Sequence, residues 1–350
     1  GYVYINNHMI EQVGEGNFSN ENKIDKVIDA QHQVVAPGLI NAHMHCYSTY
    51  ARGMDIKASP SCFIEILEKL WWKLDKTLTK ENLYLSTIVP IMEGIRSGVT
   101  TFIDHHASPN CIPGCLDELE KAFDDAGMRG VLCYEVSDRD GQKISDHGIE
   151  ENIRFCQKAN SQENNLVKGM FGLHASFTVK DNTIKKAVEA AKGLNVGLHL
   201  HVAEGEADQT LTLYQNKKRV VKRLFDTGVL GPKSIAVHAV AIDDEEKELL
   251  AKTGTWTIHN PRSNMNNSVG IMDLLGLLDK GVNVCLGTDG MSGSLWPDIR
   301  TAALIHKHEL KNPRVVMGMY KEADDFWEEF SSEISKKYDL SNIQVILNGD

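Results

Sequence analysis

The sequence predicts an α/β protein built as a (β/α)8 barrel of the TIM type, preceded by a small β-sheet domain. Three observations carry that expectation. Eight apolar runs of strand character alternate with helical patterns from residue 34 onward, as repeated βα units around a parallel sheet do. Several helical patterns stop at a glycine placed as a C-terminal cap, among them Gly98, Gly193 and Gly254. Histidines or acids recur at the C-terminal ends of the strands, the face on which barrels of this kind build their sites. An open doubly wound sheet is the alternative, but no G-x-G-x-x-G follows the first strand.

Taken in order, residues 1–33 alternate short β-like pieces (Gly1–Asn6, His8–Val13, Lys26–Asp29) with polar turns, the pattern of a small separate sheet. The barrel strands are then expected at Val34–His43, Val99–His105, Arg129–Glu135, Lys168–His174, Gly197–Val202, Ser234–Val240, Gly254–His259 and Val282–Gly287. Between them lie helical patterns at Phe63–Leu74, Glu81–Ser97, Leu116–Ala126, Asn182–Gly193, Arg219–Thr227, Glu245–Thr253 and Ile271–Lys280, and Pro297–Leu310 can supply the eighth helix. The expected division is therefore 1–33 for the small sheet, 34–316 for the barrel and 317–350 for a tail.

A chain of 350 residues has room for one such barrel with appendages. A net charge of −11 argues against nucleic acid or an anionic membrane as the main partner. No apolar run of 18 residues or signal-peptide pattern is present. The seven cysteines are scattered, and the Cys111–Cys115 pair finds no second pair to complete a metal set, so a reducing cytoplasm is expected. A homo-oligomer is compatible with this composition. The chain opens at Gly1 rather than Met, so further residues are expected before it.

The first strand ends in His43-Met44-His45. Side chains two apart on a strand point the same way, so both imidazoles can serve one metal. Spacing alone is weak: 14 histidines in 350 residues give roughly half an H-x-H pair by chance, and this chain has three. His306-x-His308 falls in a helical pattern, where a two-residue step turns about 200°, and reads as surface. Strand five ends in His199-Leu200-His201-Val202-Ala203-Glu204, with His201 nearer the mouth and His199 in an inner layer. Strand six ends in His238, and strand eight in Gly287-Thr288-Asp289. A barrel gathers these ends, and three histidines with one aspartate make an N3O set suited to Zn2+, with Fe2+ as the alternative.

These residues, with the runs Pro37–His45, Gly98-Val99-Thr100-Thr101, His201–Glu204, His259-Asn260-Pro261-Arg262-Ser263-Asn264 and Gly287–Asp289, resemble the amidohydrolase superfamily, in its aminohydrolase/chlorohydrolase branch. Within the branch, Tyr50–Met54 and the Trp71-Trp72 helix are most similar to the SsnA-type proteins associated with selenium and purine metabolism. The resemblance covers roughly residues 1–316. It implies one divalent ion on His43, His45, His201 and Asp289, with Glu204 and His238 handling protons. Two-metal branches use a carboxylated lysine on strand four, and here that strand ends in His174, which favours a single metal.

The implied reaction is hydrolytic deamination of an aminated heterocycle of purine, pyrimidine or triazine type by a metal-bound hydroxide, with dechlorination or cyclic-amide hydrolysis as variants. A bound divalent ion brings the pKa of its water from 15.7 to about 7. Glu204, three residues past a ligand, can shuttle the proton, although a loop acid that only orients His201 is its blander reading. His174, Arg262 and Asn264 sit at strand ends as candidate substrate contacts. Trp71, Trp72 and Tyr50 either wall the pocket or pack a helix, while Asp104, His105 and His106 are expected in supporting roles. The alternative function is a non-catalytic relative, although such relatives usually lose ligands and every ligand position here is filled.

The tail does not follow the family. Phe326, Phe330, Ile334 and Tyr338 recur every four residues with acids between, a strand-like Asn342–Leu347 follows, and a fused or disrupted reading frame is expected. Without the strands that normally return from the C-terminus, the small β-sandwich would be incomplete, its edge unpaired and the chain less stable and less active than a full-length relative. Residues 1–316 expressed beside the full chain should match it in thermal midpoint and bound metal. A marked loss on removing the tail would make it an integral part of the fold.

Overall fold

The computed structural model describes residues 1–315 apart from 7, 8, 19–23, 32, 163 and 164. The proposed tail at 317–350 lies outside the described residues. The chain forms two compact units, residues 1–37 and residues from Gly38 onward.

In the first unit, strands β1 (Tyr2–Asn6) and β2 (Met9–Gly14) pair antiparallel, with Tyr2 opposite Gly14 and Asn6 opposite Met9. Phe18 folds back on this hairpin, its ring 4.7 Å from Tyr4 and 5.1 Å from Tyr2. The expected strand at Lys26–Asp29 does not form; those residues are irregular and exposed.

The second unit contains all eight barrel positions. They are β3 (Leu39–Met44), β4 (Val99–His106), β5 (Arg129–Tyr134), the pair β6 (Val167–Gly169) and β7 (Phe171–Ala175), β8 (Leu198–Val202), β9 (Ile235–His238), β10 (Trp256–His259) and β11 (Val284–Leu286). The first strand starts at Leu39, not Val34, because Pro37-Gly38 interrupts the apolar run. Gly38 is required there: a Cβ on it would lie 2.2 Å from Thr100 Cγ2 of the neighbouring strand. The fourth strand is broken at Met170.

All barrel strands run parallel, in two sheets ordered β3-β4-β5-β6 and β7-β8-β9-β10-β11. The sheets meet at two seams held by isolated bridges. At one, Val136 bridges Leu173, with His174 N–H donating to Val136 O at 2.9 Å. At the other, Met44 bridges Asp289, and the amides of Thr288 and Asp289 both donate to His43 O at 3.0 Å. A small apolar cluster including Ala42, Val237 and Ile258 fills the inside of the ring, and the larger core, with Phe102, Phe123, Phe155 and Phe171, lies with the surrounding helices.

The helices are α1 (Phe63–Ile66), joined by a π-helical turn at Leu67–Trp71 to α2 (Trp72–Thr77), then α3 (Lys80–Arg96), α4 (Cys115–Ala126), α5 (Gln142–Asn160) and α6 (Asp181–Gly193). They continue as α7 (Glu206–Asn216), α8 (Val220–Asp226), α9 (Asp244–Thr253), α10 (Pro261–Asn266), α11 (Leu274–Asp279) and α12 (Trp296–Glu309). Apolar periodicity does not reveal α5 because its buried face carries Ser145, Gly148, Glu151 and Asn152 beside Phe155. His306 corrects the surface reading of His306-x-His308. It is buried on α12, its Nε2 3.0 Å from His259 Nε2, while His308 on the opposite side is exposed.

Asn152 shows why the polar face of α5 is needed. Where the fourth strand breaks, the last residue of β5 loses its ladder partner. The Asn152 side chain replaces it, accepting from Tyr134 N–H and donating to Tyr134 O, both at 2.8 Å. Each buried group left unmatched costs about 1–3 kcal/mol. Asn152→Ala should therefore lower the unfolding free energy by roughly 2–4 kcal/mol in chemical denaturation, and a loss under half a kilocalorie would show that the seam does not rely on it.

Candidate metal-dependent active site

The strand ends bring His43, His45, His201 and Asp289 together at the mouth of the ring, all buried, with one donor atom from each within 4.8 Å of the others. His45 Nε2 lies 3.1 Å from His201 Nε2 and 3.2 Å from Asp289 Oδ1, and His43 Nε2 lies 3.6 Å from the same oxygen. Ligand atoms 2.0–2.1 Å from a tetrahedral ion stand about 3.3 Å apart, and these three of the six separations lie near that value.

The other ring nitrogens are already engaged. His45 Nδ1 donates to His105 O at 2.5 Å, His201 Nδ1 to His174 O at 2.9 Å, and His43 Nδ1 contacts His199 Nε2 at 2.9 Å. Carbonyl contacts of this kind fix the tautomer and turn the Nε2 lone pairs inward. His43 Nε2 is buried without a hydrogen-bond partner. The donor set therefore fits a divalent ion.

Electrostatics agree. Burial pushes His43 down to about 3, and burial with neighbouring imidazoles holds His201 well below its ordinary value, leaving both neutral as ligands must be. Burial would also lower His45, but Asp289, aided by Glu135 and Asp104, lifts it to about 9. Burial likewise opposes ionisation of Asp289, yet its contacts with His43 and His45 hold that carboxyl well below the usual range. The cluster demands positive charge at its centre.

Beside it stand the proton-handling candidates. His238 Nε2 lies 3.5 Å from Glu204 Oε2 and 3.8 Å from Asp289 Oδ2. Burial raises the Glu204 carboxyl above its ordinary value, against the pull of His238 and with a push from Asp289. Four non-glycine residues at these strand ends take left-handed backbone, Ala203 (φ 47°), His238 (74°), Ala239 (47°) and Asp289 (52°). Such conformations are costly for residues with a Cβ and collect where side chains must be aimed.

Of the expected substrate contacts, only His174 lines the cleft in front of the cluster. Asn264 is buried behind it, and its Oδ1 accepts from His238 Nδ1 at 2.8 Å, which orients that ring. Arg262 turns away: its guanidinium bonds Asp298 Oδ2 at 2.6 and 2.9 Å and Ser292 Oγ at 2.8 Å, tying α10 to α12. Helical spacing explains the reversal, since Ser263 and Asn267, four apart on α10 and its C-cap, take the cleft side. Ser263 Oγ donates to Asp289 Oδ2 at 2.5 Å, and Asn267 Nδ2 to Glu204 Oε1 at 3.1 Å. Sequence reasoning passes over both, although the motif containing Ser263 is singled out.

It also passes over Glu135, an acid at a strand mouth like Asp289. Glu135 Oε2 lies 3.3 Å from His105 Nδ1, and its Oε1 lies 3.6 Å from His174 Nε2. His199 occupies the inner position expected of it, and His105 supports His45 through its carbonyl. Trp71 and Trp72 wall the cleft, whereas Tyr50 donates to Asn82 O at 3.0 Å and does not line it. No lysine lines the cleft among the described residues.

A parallel barrel with three imidazoles and a carboxylate converging at its mouth has the architecture of a metal-dependent hydrolase. The amidohydrolase family model matches residues 34–322, and the chain belongs to that family. It is 34% identical over 317 residues to a 5'-deoxyadenosine deaminase of Methanosarcina mazei, covering 89% of this chain and 70% of that protein. It is 31% identical over 309 residues to a 5-methylthioadenosine/S-adenosylhomocysteine deaminase of Thermoanaerobacter pseudethanolicus, covering 87% and 69%. Two solved structures share the fold. A zinc-bound adenosine deaminase from Xanthomonas campestris has a TM-score of 0.70 at 24% identity, over 79% of this chain and 62% of that one. A guanine deaminase from C. acetobutylicum with bound guanine has a TM-score of 0.77 at 17% identity, over 93% and 85%.

Replacing His201 or Asp289 with alanine should remove most of one bound divalent ion per chain, read by elemental analysis of protein purified without chelators. A wild type that holds no metal and refuses added Zn2+ would show the cluster to be something else.

Proposed function

We propose that this chain hydrolytically deaminates an aminated heterocycle, using one divalent ion, Zn2+ in preference to Fe2+, held by His43, His45, His201 and Asp289. The observation that supports this best is the convergence of those four donors within 4.8 Å of one another beside Glu204, whose carboxyl burial raises above its ordinary value. Deaminase relatives support the reaction type, and the similarity of Tyr50–Met54 and Trp71-Trp72 to SsnA-type proteins directs the first screen to purines. Seven cysteines with no disulfide among them suit the reducing cytoplasm in which we place the protein.

A bound divalent ion supplies the Lewis acidity that makes water nucleophilic at neutral pH. The chain's own residues do the rest. Water adds to the ring carbon that bears the amino group, one proton must leave that water, and the departing nitrogen must gain one. Glu204 Oε2 takes the first proton and delivers it to the departing nitrogen, giving ammonia and a ring hydroxyl, whose own proton passes to the adjacent ring nitrogen to leave the ring carbonyl. Asn267 holds the other Glu204 oxygen, fixing the direction of the carboxyl. His238, aimed by Asn264, positions and polarises the attacking oxygen from Nε2. Ser263 occupies Asp289 Oδ2 and leaves Oδ1 facing His43 and His45. The cleft in front is walled partly by Phe63, Trp71 and Trp72, flat apolar faces against which a heterocycle can stack.

Glu204→Gln should retain the metal and lose two to four powers of ten in ammonia release from aminopurines, aminopyrimidines or aminotriazines, roughly the range of general acid–base catalysis. A variant as active as its parent would reduce Glu204 to a structural partner.

A further inference from the structure

Besides the imidazoles, the cleft has one cationic side chain among its described lining residues, Arg139, against the carboxyl groups of Glu135, Glu204, Asp208 and Asp289. Arg139 is not free to receive an anion. Its Nη2 is bonded to Asp75, a carboxylate buried to 1% exposure, and its Nε donates to Asp140 Oδ2 at 3.1 Å. The guanidinium lies over the Trp72 ring, 5.2 Å from its centre, so the flat cation also forms part of the aromatic wall. Lys76 meets the outer oxygen of Asp140 at 2.6 Å but is half exposed, where water and salt screen it. At the wall itself two carboxylates face one guanidinium.

Hydrogen-bond donors nevertheless remain there. Arg139 Nη1 takes no part in the contacts to Asp75 and Asp140 among the described residues, and its N–H groups are the donors left at the wall. A wall with unused N–H groups but no net positive charge suits neutral acceptors such as ring nitrogens, carbonyls and hydroxyls. It opposes a phosphate or carboxylate, which would be desolvated next to Glu135 with Asp75 close behind the guanidinium.

We propose that Asp75, acting through Arg139 and together with Asp140, is a charge filter that restricts the cleft to uncharged ring compounds and rejects those bearing a phosphate or carboxylate. This rests on the reading of the cleft as a heterocycle site. Asp75 is a positioning residue here: it sets the charge and direction of the guanidinium and has no contact with the reacting atoms.

The test uses the metal-loaded full chain and two probes that differ only in a phosphate and cannot lose ammonia, inosine and inosine 5'-monophosphate, with binding measured by calorimetry. Wild type should bind inosine at least about tenfold more tightly than the phosphate, the effect of one unbalanced charge several ångströms away at an effective dielectric of about 20. Asp75→Asn should shift that ratio toward the phosphate by roughly tenfold while inosine affinity stays nearly constant. Asp140→Asn, closer to solvent and safer for folding, should shift it the same way by less. Equal or tighter binding of the phosphate by wild type would overturn the filter, as would an unmoved ratio in folded, metal-loaded variants. Failure of wild type to bind either probe would overturn it too, and ammonia release from another neutral aminated ring in that preparation would show the hydrolase reading standing without it.

Discussion

Two backbone carbonyls govern the mouth of this barrel. His105 O and His174 O each take the Nδ1 proton of a ligand imidazole, and the two Nε2 lone pairs are thereby driven to within 3.1 Å of one another. Two nitrogens at that distance must share a positive charge, either a proton carried by His45, whose pKa is lifted to about 9, or an ion held by both. Asp289 sharpens the demand, and Ser263 keeps the carboxylate from turning away. The site is thus organised by main-chain geometry on the strands next to those that carry the imidazoles, and it would survive many side-chain changes around it. Loss of the strand register that places those carbonyls would end it.

The same register explains where backbone strain accumulates. His238 and Asp289 must leave their strands abruptly so that their side chains turn into the ring instead of following the strand outward. Left-handed backbone at Ala203, His238, Ala239 and Asp289 is the local consequence. Packing beneath these residues, such as the buried Val202 and Val237, holds them there. Strain of this kind persists only when the surroundings over-determine it.

Most of the ring and the convergence of His43, His45, His201 and Asp289 are legible in the sequence, because apolar runs, glycine caps and strand-end histidines are local signals. What is not legible depends on partners distant in sequence. Helix α5 escapes detection because Asn152 spends its polarity on Tyr134, and no window of sequence displays that pairing. Arg262 is misassigned to substrate because its carboxylate, Asp298, is 36 positions away. His306 looks like a surface histidine until His259 is set against it. The start of the first strand is misplaced for a different reason: apolar residues at 34–36 continue the pattern, but Pro37-Gly38 ends it. Ser263 and Asn267 are recoverable only when the turn after β10 is known to be helical.

The two seams give the ligand set a mechanical meaning. His43 and His45 belong to one sheet, His201 to the other, and Asp289 follows the last strand at the point where that strand meets the first. A ring joined by isolated bridges has two weak hinges, and the ligand cluster spans one of them. An ion held by all four side chains, as proposed, would be a clasp as well as a reagent. Affinity for such an ion and resistance of the barrel to opening would then be thermodynamically linked, so selection acting on either would drag the other with it.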